Sequence, residues 1–265
     1  MSIYDYPVLY DVLFSDSWKR EIEFLKTALQ YYCNISGRGR IFEPACGTGR
    51  LLWRLARLGH NVAGLDLNPK AVSFCNKRLK RHGLKESAIL GDMTDFSLNS
   101  LQQKKPFDLA FNFVSSFLHL TSETAALSHF RAVAEILKPN GIYLLGLHLL
   151  PRGDAVCSQE QWSVRHGSLA LQSQLRRLSL NRQRRIETVE FRIKATTPKR
   201  RYEIIDTFPL RTYTLQQFRI LLKKANCFDI LETFDFNFQS PVPLNSQTED
   251  VVFVLKKIES DRVDS

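Results

Sequence analysis

The residues of this chain best suited to chemistry begin with the run Glu43-Pro44-Ala45-Cys46-Gly47-Thr48-Gly49. Small residues in such a run let the main chain approach a ligand closely. The helix that follows starts with N–H groups that have no intrahelical partner, so the turn suits the polar part of a ligand. Asp66 and Leu67 follow a second short apolar run. A carboxylate at that place can accept two hydroxyl hydrogens at once, which is the chemistry of ribose recognition in a doubly wound sheet. Gly91-Asp92-Met93 follows a third run and offers an acceptor for an exocyclic amine beside a polarisable side chain that can pack on a base. Each feature also has a plain reading: a tight strand-to-helix turn, a helix cap ahead of Asn68-Pro69, a loop acid, a core methionine. Past a fourth apolar run stand Asn112 and Ser115, suited to the floor of a site, and then His119, whose side chain titrates in the range a general base needs. His148 is a second candidate base, and either histidine is equally at home as a hydrogen-bonded structural residue.

The elements that must hold these residues follow from apolar periodicity. Helical spacing predicts a leading helix over Trp18–Tyr32, then a strand at 40–44, the glycine turn and a helix at 50–58. A strand over Asn61–Asp66 and a helix opened by Asn68-Pro69 and reaching Leu79 come next. Short strands at 87–90 and 107–113 are followed by a helix at 123–137, a turn at Lys138-Pro139-Asn140-Gly141 and a buried strand at 142–150. Strands alternating with helices predict an α/β doubly wound sheet that is mostly parallel. After Pro151 the texture changes. Segments 169–180, 186–195 and 202–208 read as extended, and Val189, Phe191 and Ile193 alternate with Glu190 and Arg192, so an antiparallel insertion with one covered face is expected at 151–210, hinged near Pro151 and Pro209. A helix at 215–225 capped by Thr214, strands at 230–238 and 250–257, and a polar tail at 259–265 complete the expectation. The whole, 1–265, is read as one domain, with an arm and helix at 1–35, a core at 36–150, the insertion, and a closing section at 211–258.

Together these motifs resemble the class I S-adenosylmethionine-dependent methyltransferases, and among them the small-molecule enzymes. EPACGTG is similar to that family's first motif, Leu65-Asp66 to the acid after its second strand, Gly91-Asp92-Met93 to its adenine-contacting motif, and Leu137-Lys138-Pro139-Asn140-Gly141 to the turn before its fifth strand. The resemblance covers about residues 36–150 and implies a seven-stranded sheet, six strands parallel and the last antiparallel, with the cofactor across the strands' carboxyl ends. It implies that S-adenosylmethionine is held by Glu43, Ala45, Gly47, Gly49, Asp66, Leu67, Asp92, Met93, Asn112 and Ser115, that S-adenosylhomocysteine is the product, and that the methyl group moves by in-line displacement to a small-molecule acceptor. His119 is the candidate catalytic base, and no metal is implied. Tyr4-Asp5-Tyr6-Pro7 and Tyr10-Asp11 resemble a segment that covers the cofactor, with a hydrophobic arm as the plain alternative. Asn112-Phe113-Val114-Ser115 lacks the proline pair of base-amine methylating enzymes.

Composition sets outer bounds. With 44% hydrophobic and 24% charged residues the chain has material for a sizeable core. A net charge of +10 favours anions, so an anionic acceptor fits, and an RNA-modifying enzyme using the basic insertion is an alternative, as is a catalytically silent relative. A nicotinamide-dependent dehydrogenase fits poorly, because the third glycine of its fingerprint is missing after Gly49. Cys33, Cys46, Cys75, Cys157 and Cys227 show neither a CxxC pair nor zinc-like spacing, and with no signal-like or membrane-length apolar run a cytoplasmic protein is expected.

Overall fold

The computed structural model describes residues 2–151 and 159–259. Cys157 and most of the expected polar tail lie outside the described residues. The main sheet contains β1 (Arg40–Pro44), β2 (Asn61–Asp66), β3 (Ala88–Leu90), β4 (Phe107–Asn112), β5 (Leu137–His148), β10 (Phe228–Phe234) and β11 (Asp250–Lys257). Their order is β10-β11-β5-β4-β1-β2-β3. Six strands run parallel, and β11 is antiparallel to both of its neighbours. Strand order therefore reverses between β1 and β4, which is where an open α/β sheet leaves a crevice at its carboxyl edge.

Both faces of this sheet are covered, which is why its central strands read as nearly unbroken apolar runs. Successive side chains point to opposite faces. Ile41, Leu109 and Leu144 pack with Ile22 and Leu25 of α2 (Trp18–Tyr32), Leu52 and Leu55 of α3 (Leu52–Arg57), and Leu79 of α4 (Pro69–Arg81). Their neighbours Phe42, Ala110 and Leu145 pack with Phe130 and Val133 of α5 (Glu123–Ile136) and Phe218 and Leu222 of α6 (Leu215–Ala225). Asn68 caps α4 by accepting from the N–H groups of Lys70 and Ala71, and Thr214 with Gln217 forms a capping box on α6.

The second sheet, β6-β7-β8-β9, is antiparallel throughout and falls between β5 and α6, where the insertion was expected. It contains β6 (Gln159–His166), β7 (Leu169–Asn181), β8 (Ile186–Thr196) and β9 (Arg201–Arg211). Leu171, Phe191, Ile193, Ala195 and Ile204 form its covered face, packed against Ile3, Leu9, Val12 and Leu13. The chain's first residues thus form a short 3-10 turn (Ile3–Asp5) and a helix, α1 (Pro7–Leu13), that lie between the insertion and the main sheet.

Four sequence expectations need correction. The Lys138-Pro139-Asn140-Gly141 turn is absorbed into β5: Phe107 pairs with Leu137 but Leu109 pairs with Ile142, so the residues between bulge out, with Asn140 at φ 58°. Strand β6 was not foreseen, because it is an edge strand with no fully buried position. No hinge interrupts the chain at Pro209. That residue pairs with Thr188 inside β9, another edge strand, where a missing N–H is tolerated. The strand expected at 230–238 ends at Phe234. Among the described residues no helix is long and apolar enough to cross a membrane.

Candidate functional site

The glycine turn is built at the end of β1. Ala45, Gly47 and Gly49 all take left-handed conformations, with φ of 53°, 54° and 64°. The Cys46 N–H donates to the Leu65 carbonyl at 2.9 Å, which ties the turn to β2. Asp66 then braces it: one carboxylate oxygen accepts from the Gly47 N–H and the other from the Asn68 N–H, both at 2.8 Å. The cap of α4 is Asn68 itself, so Asp66 serves the loop and the crevice and not the helix end.

Two of the turn's glycines do different work. A Cβ on Gly47 would meet only the Tyr10 ring, at 3.8 Å, because that position faces open space. A Cβ on Gly49 would fall 2.1 Å from the Cys75 sulfur, so Gly49 exists to let α4 close on the turn. Beneath the turn, Arg50 grips Glu21 of α2 through both terminal nitrogens; the two residues are 8% and 3% exposed. Thr48 donates to Asp11 at 2.8 Å, and Arg78 of α4 reaches the other oxygen of the same carboxylate, which fastens α1 over the turn.

Glu43 carries the clearest electrostatic signal. One of its carboxylate oxygens is buried without a hydrogen-bond partner, and burial pushes its carboxyl well above the usual range despite the opposing charge of Arg50. Asn112, at the end of β4, donates to the Pro44 carbonyl at 2.9 Å, and its own side-chain oxygen is likewise buried and unpartnered. Two unsatisfied acceptors on neighbouring strand ends cost stability unless a donor arrives from outside.

These residues open into a cavity of about 610 Å³ at the carboxyl edge of the sheet. Glu43, Ala45, Gly47, Asp66, Leu67, Asp92, Met93, Asn112 and His119 all line it. Gly49 and Ser115, expected there, are not among the lining residues. Gly49 is turned toward Cys75, and Ser115, at φ 52°, buries its hydroxyl at the start of the 3-10 turn Ser116–His119. Ser116 lines the cavity in its place. His148, the second candidate base, pairs with Asp250 and stands edge-on to Phe236, away from the cavity wall.

The far end of the cavity is made by the chain's first residues. Ser2, Tyr4, Pro7 and Tyr10 line it, and the Tyr4 hydroxyl lies 3.0 Å from His119 Nε2. Burial lowers the proton affinity of His119, with Asp206 of β9 acting the other way, so the imidazole is held neutral at ordinary pH. Some supporting residues escaped sequence reasoning. His129 on α5 is fully buried between the Met93 carbonyl and the Tyr143 hydroxyl, each 2.8 Å from a ring nitrogen, and so fixes the loop that carries Asp92 and Met93. A polar residue on a helix face gives no sign of this in sequence. Arg50 was missed for another reason, since a charge after a glycine turn looks like ordinary solvated surface.

This arrangement, a braced glycine turn facing an acid at the end of β2 with an acid and a methionine after β3, coincides with a match of residues 41–141 to a family described as a methyltransferase domain. That stretch, from β1 into β5, is what the chain shares with the family. Its relatives include a protein of Geobacillus sp. (strain WCH70) named as a methyltransferase, 26% identical over 97% of this chain and all of that one. The chain spans about half the length of further curated relatives that it matches. A solved S-adenosylmethionine-dependent methyltransferase from Clostridium acetobutylicum has the same fold, with a TM-score of 0.74 at 16% identity over 95% of this chain and 97% of that one. So does CalS10, an amino pentose methyltransferase from Micromonospora echinaspora solved with S-adenosylmethionine bound, with a TM-score of 0.70 at 18% identity over 97% and 98%. The seven-stranded sheet and the antiparallel insertion both lie within the length over which the two solved structures align.

Proposed function

We propose that this chain transfers a methyl group from S-adenosylmethionine to a small-molecule acceptor. The observation that carries the reading is the unpartnered Glu43 oxygen on the wall of a cavity whose other walls are Gly47, Asp66, Asp92 and Met93. An ammonium is the donor that a buried acceptor of this kind lacks. In this reading Glu43 takes the amino group of the cofactor and the main chain at Ala45 and Gly47 lies along its amino-acid tail. Asp66 accepts from the ribose hydroxyls, Asp92 accepts from the adenine amine, and Met93 and Leu67 pack on the base. Leu67 is 71% exposed as it stands, and a bound base would give it a partner. Asn112 supplies a second acceptor between cofactor and acceptor. Residues 36–150 act as the cofactor core and 151–210, with the N-terminal turn and α1, as the cover over the acceptor.

When bound, S-adenosylmethionine supplies an already activated methyl group. The protein's tasks are then alignment in line with the bond to be broken, exclusion of water and, for a protonated acceptor, removal of a proton. His119 is the group placed to take that proton, and Tyr4 fixes its orientation through the 3.0 Å contact. The test is calorimetry of the full chain with S-adenosylmethionine, S-adenosylhomocysteine and NADH in parallel. Saturable binding of the first two and not the third is expected; NADH binding alone would overturn the reading.

A further inference from the structure

The acceptor end of the cavity has an electrostatic character of its own. Tyr4 and His119 line it, and Phe208 of β9 lies against both rings. Asp206 precedes Phe208 by two positions and so shares its face of the strand. Its carboxylate accepts from the Ser2 hydroxyl at 2.7 Å and the Ile3 N–H at 2.8 Å, directly beside the residue that touches His119. The charge acts on both members of the pair: it adds to burial in making the Tyr4 hydroxyl harder to ionise, and it opposes the larger effect of burial at His119, making that imidazole easier to protonate.

Asp206 forms no ion pair among the described residues. Among the described residues the one lysine or arginine on the cavity wall is Arg50, which is committed to Glu21. Several arginines of the insertion pair with carboxylates, Arg177 with Glu187, Arg185 with Glu123, and Arg192 with Glu190 and Glu203, and no described lysine or arginine of the insertion lines the cavity. A carboxylate or phosphate on the acceptor would therefore enter a site with an acidic neighbour and no unpaired lysine or arginine on its described walls.

We propose that the acceptor is a protonated amine and that Asp206 is the residue that sets this choice. The proposal rests on the methyltransferase reading above. The rings of Tyr4 and Tyr10, 5.7 Å apart, give a cation faces to lie on and give an anion none. Before transfer the ammonium must lose a proton. In the tautomer where His119 Nε2–H donates to the Tyr4 oxygen, Nδ1 holds the free lone pair. One N–H bond of the acceptor breaks, its electron pair stays on the acceptor nitrogen as the nucleophile, and the proton ends on Nδ1. The resulting imidazolium is what the Asp206 carboxylate stabilises. An alcohol gains less, because its deprotonation creates an anion that Asp206 opposes.

The test uses the full chain saturated with S-adenosylhomocysteine, titrated with cyclohexylamine, cyclohexanol and cyclohexanecarboxylate at about pH 7.5, where the amine is charged and imidazole largely neutral. Cyclohexylamine is expected to bind about tenfold more tightly than cyclohexanol, with no saturable binding of the carboxylate. In Asp206→Asn the preference for amine over alcohol is expected to shrink, and the NMR titration midpoint of His119, assigned by its loss in His119→Gln, to move down. S-Adenosylhomocysteine affinity should stay unchanged in Asp206→Asn. Failure of S-adenosylhomocysteine to bind the parent chain strikes the methyltransferase reading itself. Normal binding of it overturns the amine proposal alone if it comes with equal affinity for amine and alcohol, tighter binding of the carboxylate, or no binding of any probe. An unmoved His119 midpoint in Asp206→Asn overturns the role given to Asp206.

Discussion

The two sheets solve the problem of burial in different ways, and the two ends of the cavity differ in the same sense. In the seven-stranded sheet every residue of β4 is buried and both faces carry helices. In the four-stranded sheet one face is covered and the other holds charged pairs such as Arg192 with Glu203. The cavity end built on the large sheet is made of main chain in left-handed turns, fixed by carboxylates at strand ends. The end under the small sheet is made of side chains, Tyr4, Tyr10 and His119, held by a three-way contact among the N-terminal turn, the loop after β4 and β9. A backbone-built end permits little change in ligand, whereas a side-chain-built end can be respecified by single substitutions. The contrast is the expected one for a constant donor and a variable acceptor.

If the turn end is rigid because of what lies beneath it, breaking that support should have the largest effect. Glu21→Ala leaves Arg50 buried without its partner, and a destabilisation of about 3–5 kcal/mol is expected from urea unfolding. A loss under about 1 kcal/mol would mean that α2 does not brace the turn.

The next effect separates the two glycines. Gly47→Val meets only the Tyr10 ring, so the fold should survive with a cost of about 1–3 kcal/mol for a branched residue at positive φ. Affinity for S-adenosylmethionine should fall more than about 100-fold, since the side chain occupies the wall along which the ligand lies. Gly49→Ala should reverse the pattern and fail in stability first, because its Cβ collides with the Cys75 sulfur. Calorimetry and unfolding on both variants decide it. Normal binding by Gly47→Val would remove that residue from the wall.

Acid should act on a second wall of the cavity, the loop that carries Asp92 and Met93. Burial is the largest cause pulling His129 down to about 4, with the Met93 carbonyl opposing it. A group whose folded pKa lies below its unfolded value near 6.5 refuses a proton that the unfolded chain takes. Its contribution to stability is therefore present above about pH 6.5 and is lost as pH falls toward 4. Between pH 7.5 and 5 the loss from this one group is about 2 kcal/mol. His129→Gln should flatten that part of the stability profile, and an unchanged slope would show that the imidazole is not buried neutral.

The motifs along the large sheet were legible because their spacing is a backbone property. Glycine at positive φ, an acid closing β2, and Pro69 behind its Asn68 cap are all dictated locally, and the bounds of β1, β2, α2, α6 and β11 follow the apolar pattern. What was not legible depends on tertiary contact. The Glu21 to Arg50 pair joins α2 to the glycine turn, His129 reads as one more polar residue in α5, and Asp206 looks like any other acid of an alternating strand. Gly49 and Ser115 were misplaced for a related reason: a motif fixes where the backbone turns but not which of its residues face the crevice and which face a packed helix.

The smallest effect bears on the insertion's basic charge. The sequence alone allows those arginines to serve as a clamp for an anion or for nucleic acid, yet Arg176 is about half exposed and pairs with Glu190 at 3.4 Å, and it does not line the cavity. An exposed pair of this kind contributes roughly 0–1 kcal/mol. Arg176→Ala should therefore shift the unfolding midpoint little and leave S-adenosylhomocysteine affinity and the ranking of the three cyclohexyl probes unchanged. A clamp would behave differently: the substitution would weaken binding of an anion or RNA, and the weakening would itself fade as salt is raised, because screened charges contribute little in the parent chain or the variant. A salt-dependent loss of that kind would move the acceptor's recognition from the cavity wall to the open face of the small sheet, and the division of labour between the two sheets would have to be redrawn.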